Sequence, residues 1–190
     1  MNYHKSVMFG LTLIFIIIQV LVMLGLGKKE YPGFVQGTLV TTCIIVLYTF
    51  CENKYGIYMN NYIRAAVLVY LIGDSLGGHY LEYYITSTVF DKVLHVFGTY
   101  SLSLFFYILM RQLLTSPVSR IIIFIWVFCL GMSTGAIYEI IEFIGDTLTK
   151  PTLPEQPSLW DTDFDLISDF IGAIIAAIHA SILMKRRNII

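Results

Sequence analysis

Six stretches of this chain are too long and too apolar for a water-soluble fold. Ser6–Gly27, Tyr31–Cys51 and Ile121–Tyr138 carry no charge. Val93–Met110 is interrupted by His95, Phe170–Met184 by His179, and Ala65–Leu81 by Asp74 and His79. A helix needs about 20 apolar residues to cross a hydrocarbon core. The pattern therefore predicts an all-α, polytopic membrane helix bundle with about six transmembrane helices. Composition agrees, with 57% hydrophobic and 13% charged residues and a mean hydropathy of +0.75. The first apolar run is too long for the core of a signal peptide, and no Ala-x-Ala cleavage pattern precedes "KKEYP", so it reads as a retained helix. Cys43, Cys51 and Cys129 lie in or beside apolar runs without C-x-x-C spacing and read as packing residues.

Charge sets the orientation. With six spans and both termini on one side, that side holds Lys5, Lys54, Arg64, Arg111, Arg120, Lys185, Arg186 and Arg187, eight of the twelve basic residues. Short loops rich in Lys and Arg stay cytoplasmic, which puts the N and C termini inside. Of the thirteen acids, only Glu52 falls on that side. Acids hardly influence orientation, so their accumulation near the outer face calls for a chemical reason. The basic residues form no patch, and nucleic-acid binding is not indicated.

Helical spacing gathers these acids. At about 100° per residue, Glu139, Glu142 and Asp146 share one face. Asp91 and His95 share another. Asp161, Asp165 and Asp169 recur at i, i+4 and i+8, whereas Asp163 points away. Asp74 and His79 are five apart, so one site takes both only if "DSLGGHY" departs from an ideal helix, as a glycine pair permits. Small residues at Gly73-x-x-x-Gly77, Gly131-x-x-x-Gly135 and Gly172-x-x-x-Ala176-x-x-x-Ala180 allow close helix approach. "KPTLPEQPSLW", with three prolines, reads as an extended cover over the outer face. The division expected is a two-helix scaffold, residues 1–62, and a four-helix site-bearing core, residues 63–190.

Crowded carboxylates in a low-dielectric site cannot all ionise without compensating cations. Lys92 and Lys150 are the basic residues near them in sequence. One or more divalent metal ions would balance the charge, with Asp74, His79, Asp91, His95, Glu139, Glu142, Asp146, Asp165 and Asp169 as candidate ligands. Oxygen and imidazole donors without thiolate suit Mg, Mn, Zn or Fe. Ordinary structural roles compete: Asp161, Asp163 and Asp165 can cap a helix N-terminus, and Glu142 and Asp146 can simply mark a helix end. Asp74, Glu139 and Asp169 lie inside spans, where ionisable residues are costly and by default functional.

"DKVLHVFGTY", "GAIYEIIEFIGD" and "DTDFDLISDFIGA" together resemble the YjdF-like family of predicted bacterial inner-membrane proteins. That family carries D-x-x-x-H, E-x-x-E-x-x-x-D and D-T-x-x-D-x-x-x-D-x-x-G-A motifs. A more distant similarity is to VanZ-like proteins, with Glu142 and Asp169 standing where those have Gln and Asn. The resemblance covers Asp74 to Ala177. It implies importance for Asp91, His95, Glu139, Glu142, Asp146, Asp161, Asp165, Asp169 and Gly172, and a multi-pass protein of the cell membrane, but it brings no settled reaction.

Three functions fit these readings. The first is a metal-dependent membrane enzyme, a hydrolase or transferase acting on a lipid or lipid head group at the extracytoplasmic face. Glu139 or Asp169 would be its general base and His95 its ligand or proton shuttle. The second is a proton or divalent-cation transporter, although such a path needs polar groups along its whole length. The third is a non-catalytic membrane scaffold.

Overall fold

The computed structural model describes residues 3–150 and 154–182. Lys185, Arg186 and Arg187, which weigh in the expected orientation, lie outside the described residues. All regular structure among the described residues is helical: α1 (Tyr3–Lys28), α2 (Pro32–Tyr55), α3 (Asn61–Ile72), α4 (Tyr83–Thr86), α5 (Phe90–Arg111), α6 (Arg120–Thr149) and α7 (Leu159–Ile182). Five of them, α1, α2, α5, α6 and α7, are long and apolar enough to cross a membrane. The expected third span is α3 continued by a π-helical segment, Gly73–Tyr80. Helix ends carry ordinary signals. Pro32 opens α2, the Asn60 side chain accepts a hydrogen bond from the Tyr62 N–H, and Ser119 accepts from the Ile122 N–H.

Two helices outrun the apolar patterns that announced them. The second apolar stretch stops at Cys51, but α2 continues to Tyr55 and so carries Glu52 inside the helix. Likewise α6 runs to Thr149, so Glu139, Glu142 and Asp146 all sit on helical backbone. Hydropathy marks where lipid begins; it does not decide where backbone hydrogen bonding stops.

The chain forms two compact units, Met1–Asp91 with Arg111–Leu113, and Lys92–Met110 with Leu114–Ile190. In the first, α1, α2 and α3 bury Met8, Phe15, Val22, Leu26 and Ile63. They also bury hydroxyls and amides. Thr12 and Thr49 hydroxyls lie 3.1 Å apart, and Ser75 donates to Gln19 Oε1 at 2.7 Å. Meanwhile Leu13, Leu21, Leu39 and Leu47 are exposed. Polar groups inside and leucines outside are the arrangement expected when the surrounding solvent is lipid.

In the second unit, α7 lays a stripe of Gly172, Ala173, Ala176, Ala177 and Ala180 inward, each buried. A Cβ on Gly131 would stand 2.6 Å from that of Ala173, and one on Gly172 would run into the carbonyl of Val96. These backbones approach as closely as only glycine allows, which brings α5, α6 and α7 together around the acids they carry.

Candidate functional site

The candidate residues gather into two groups. In the first unit, Asp74 and His79 meet on the π-helical segment, with Asp74 Oδ1 3.5 Å from His79 Nε2. A π turn closes from i to i+5, so the five-residue spacing that misaligns them on an α-helix aligns them here. The Leu81 N–H bonds to the carbonyl of Leu76 in that register. Tyr84 donates to Asp74 Oδ1 at 2.7 Å, and the His79 ring stacks on Phe34 with centroids 4.0 Å apart. A side chain on Gly78 would collide with the Tyr84 ring, so the glycine pair makes room for the aromatic lid rather than merely loosening the helix.

The second unit holds the denser cluster, centred on His95. Its Nδ1 lies 3.2 Å from Asp169 Oδ1. Its Nε2 faces Asp165 Oδ1 at 3.6 Å and Glu139 Oε1 at 3.9 Å. Thus α5 supplies the imidazole, α6 one carboxylate and α7 two. All four side chains are buried, Asp165 and Asp169 to within 1% of complete enclosure. One ligand atom from each of His95, Glu139 and Asp169 falls within a 4.8 Å circle of mutual distances.

Neighbours fix these groups. Thr99 donates to Asp169 Oδ1 at 2.5 Å. The other oxygen, Oδ2, is buried without a hydrogen bond among the described residues and lies where a Cβ on Gly135 would stand. Lys92 bridges Asp161 and Asp165 at 2.6 and 2.7 Å. The Tyr138 ring meets His95 edge-on at 5.6 Å. Gln156, from the segment before α7, donates to Glu139 Oε2 at 2.7 Å and to its carbonyl at 2.9 Å.

Asp146 sits near the C-terminus of α6, where the helix dipole disfavours an acid. Its carboxylate instead accepts the N–H groups of Glu155 and Gln156 at 3.0 and 2.8 Å. It therefore anchors the connecting segment that delivers Gln156 to Glu139. Glu142 is half-buried on α6, Asp163 is exposed, and Asp91 occupies the first turn of α5, one turn before His95. His179 bonds through Nδ1 to the Tyr100 hydroxyl at 2.7 Å. Sequence reasoning missed Gln156, Thr99 and the bridging role of Lys92. Only Lys92, a lone cation among acids, left a signal in the pattern.

The charge balance is uneven. Asp161, Asp165, Asp169 and Glu139 face one ammonium, Lys92, and one imidazole. Even with His95 doubly protonated, these four carboxylates oppose two cations among the described residues. Asp169 at Nδ1 favours the tautomer with its proton there, which turns the Nε2 lone pair toward two carboxylates. An imidazolium proton or a metal ion at that point relieves the repulsion. Two ligand atoms on one zinc-sized ion, each about 2.0–2.2 Å from it, lie at most about 4.3 Å apart. The 3.6 and 3.9 Å separations fall inside that limit.

Fold and site together define a polytopic α-helical membrane protein with a buried histidine–acid cluster. The chain belongs to a family described as predicted membrane proteins, DUF2238, which matches residues 9–186. It is also similar to a Thermotoga maritima protein described as uncharacterized, with 34% identity over 112 residues. That match takes in 54% of this chain and 53% of the relative, so the chain spans about half the length of the curated relative it matches. No solved structure matches.

Proposed function

We propose that the His95 cluster is a divalent-cation site and that this chain, a YjdF-like protein, uses it as a membrane enzyme on a lipid head group. The observation that carries the reading is an imidazole buried among carboxylates that outnumber the nearby cations. His95, Glu139 and Asp169, whose ligand atoms lie within 4.8 Å of one another, would hold the ion. Thr99, which donates to Asp169 Oδ1, would orient that carboxylate from outside the ligand set. A bound ion would polarise a phosphoryl or acyl oxygen and lower the pKa of a coordinated water. Glu139, its Oε2 fixed by Gln156, would present Oε1 to the ion. Lys92 offers the site's fixed positive charge.

The bias of basic residues toward the loops at the termini side supports a site facing the extracytoplasmic surface. A conduction path has less support. Ser101 and Ser103 are buried on α5, but each hydroxyl donates to its own helix backbone rather than onward to another side chain.

The test is turnover. Full-length protein loaded with Mg, Mn, Zn or Fe is incubated with total membrane lipids, and products are followed by mass spectrometry. A lipid species lost with wild type and preserved with Glu139→Gln is the expected result. No altered lipid under any metal, together with uptake of the same metal into proteoliposomes, would replace the enzyme with a transporter.

A further inference from the structure

A groove of about 730 Å³ opens along α5 and α7 in the second unit. Lys92 stands at one end, Val96, Phe97 and Ile175 form its walls, and Tyr100 and His179 close the other end. Both helices belong to the membrane-crossing set. From Lys92 to Tyr100 the groove follows α5 for about 12 Å at roughly 1.5 Å per residue. One leaflet of hydrocarbon is about 15 Å deep, half of the roughly 30 Å core. The groove thus has nearly the depth of a single leaflet.

Its chemistry is equally graded. The walls are apolar, and the one wall hydroxyl, Ser168, donates to the Phe164 carbonyl of its own helix. The far end is polar but self-satisfied, through the 2.7 Å Tyr100–His179 hydrogen bond between stacked rings. The near end is Lys92, bonded to Asp161 and to Asp165, which faces His95. A cleft in this position is surrounded by lipid, and hydrocarbon is the filling that leaves no polar group stranded.

We propose that the groove seats one acyl chain of a glycerophospholipid, which holds the head group at the level of Lys92 beside the His95 cluster. This rests on the reading of that cluster as a site acting on lipid. Tyr100 and His179 form the floor that limits how deep the chain runs.

The experiment uses the full chain in phosphatidylcholine vesicles containing phosphatidylethanolamine with a diazirine in one acyl chain. After illumination, labelled residues are mapped by peptide mass spectrometry. Labelling at Phe97 and Ile175 several-fold above Ile125, an exposed residue of α6 in the same unit, is expected. Ile175→Trp should abolish the excess at Phe97, and the milder Val96→Phe should reduce it, with metal content unchanged in both. Equal labelling at Phe97, Ile175 and Ile125 overturns the proposal, as does labelling by a diazirine fatty acid but not by the phospholipid. Groove labelling in a protein that binds no metal would sink the metal reading and leave the acyl-chain seat standing.

Discussion

Each unit of this protein buries charge, and the two do so in opposite ways. In the first, Arg64 meets Glu52 through two hydrogen bonds of 2.8 and 2.5 Å, and both side chains are at most 4% exposed. One guanidinium matches one carboxylate, oxygen for nitrogen, the geometry in which such pairs are strongest. In the second, four carboxylates share Lys92 and His95. Burial alone therefore does not mark a site. A matched guanidinium and carboxylate hold helices in register, whereas a surplus of one sign would leave a place for a ligand.

Breaking the first pair should give the largest effect. Arg64→Leu leaves a buried carboxylate uncompensated and should cost about 3–5 kcal/mol, read from unfolding in detergent, while the double change Glu52→Leu/Arg64→Leu recovers most of it. If the double variant stays as unstable as the single, the pair does more than hold structure. The second cluster should respond to metal instead. Withdrawing the ion by chelation should lower stability by about 2.7 kcal/mol when its concentration had been 100 times Kd. Asp169→Asn should be insensitive to the chelator, and Arg64→Leu should keep the response.

A finer distinction lies within the second cluster. Thr99→Val removes the hydrogen bond that orients Asp169 and should weaken metal binding by about 10- to 100-fold without abolishing it. An unchanged affinity would place Asp169 outside the ion's surroundings. The smallest effect belongs to an exposed pair outside the spans. The hydrogen bond from Lys29 to Glu82 raises the lysine above its ordinary 10.5. A raised lysine contributes stability that is complete below 10.5 and lost as pH rises through the higher, folded value. Lys29→Met should remove only that alkaline dependence, seen as a flatter unfolding curve above pH 10.5.

Much of this was legible in the sequence, in a graded way. The spans were, because hydrocarbon imposes length and composition directly. The Asp161, Asp165 and Asp169 stripe was legible because α7 is regular and periodicity survives folding. Asp74 and His79 appeared as a conflict, five apart on a helix, which the π segment resolves. Glu52 and Arg64 could not be paired by inspection. Glu52 follows the last apolar residue of its stretch, so it reads as a loop acid until the helix is seen to continue past it. Gln156 was equally silent, since an amide in a proline-rich connection carries no periodicity and reaches Glu139 only because Asp146 pins the backbone around it.

The central claim is that the surplus of acid around His95 exists to hold a metal ion. Elemental analysis of the full-length protein, purified without chelator and compared with His95→Ala and Glu139→Gln, tests it most directly. The account predicts a divalent metal in stoichiometric amount in the wild type, lost in His95→Ala and sharply reduced in Glu139→Gln. Wild-type protein that is folded yet metal-free, and that gains no stability from added Mg, Mn, Zn or Fe, would contradict it.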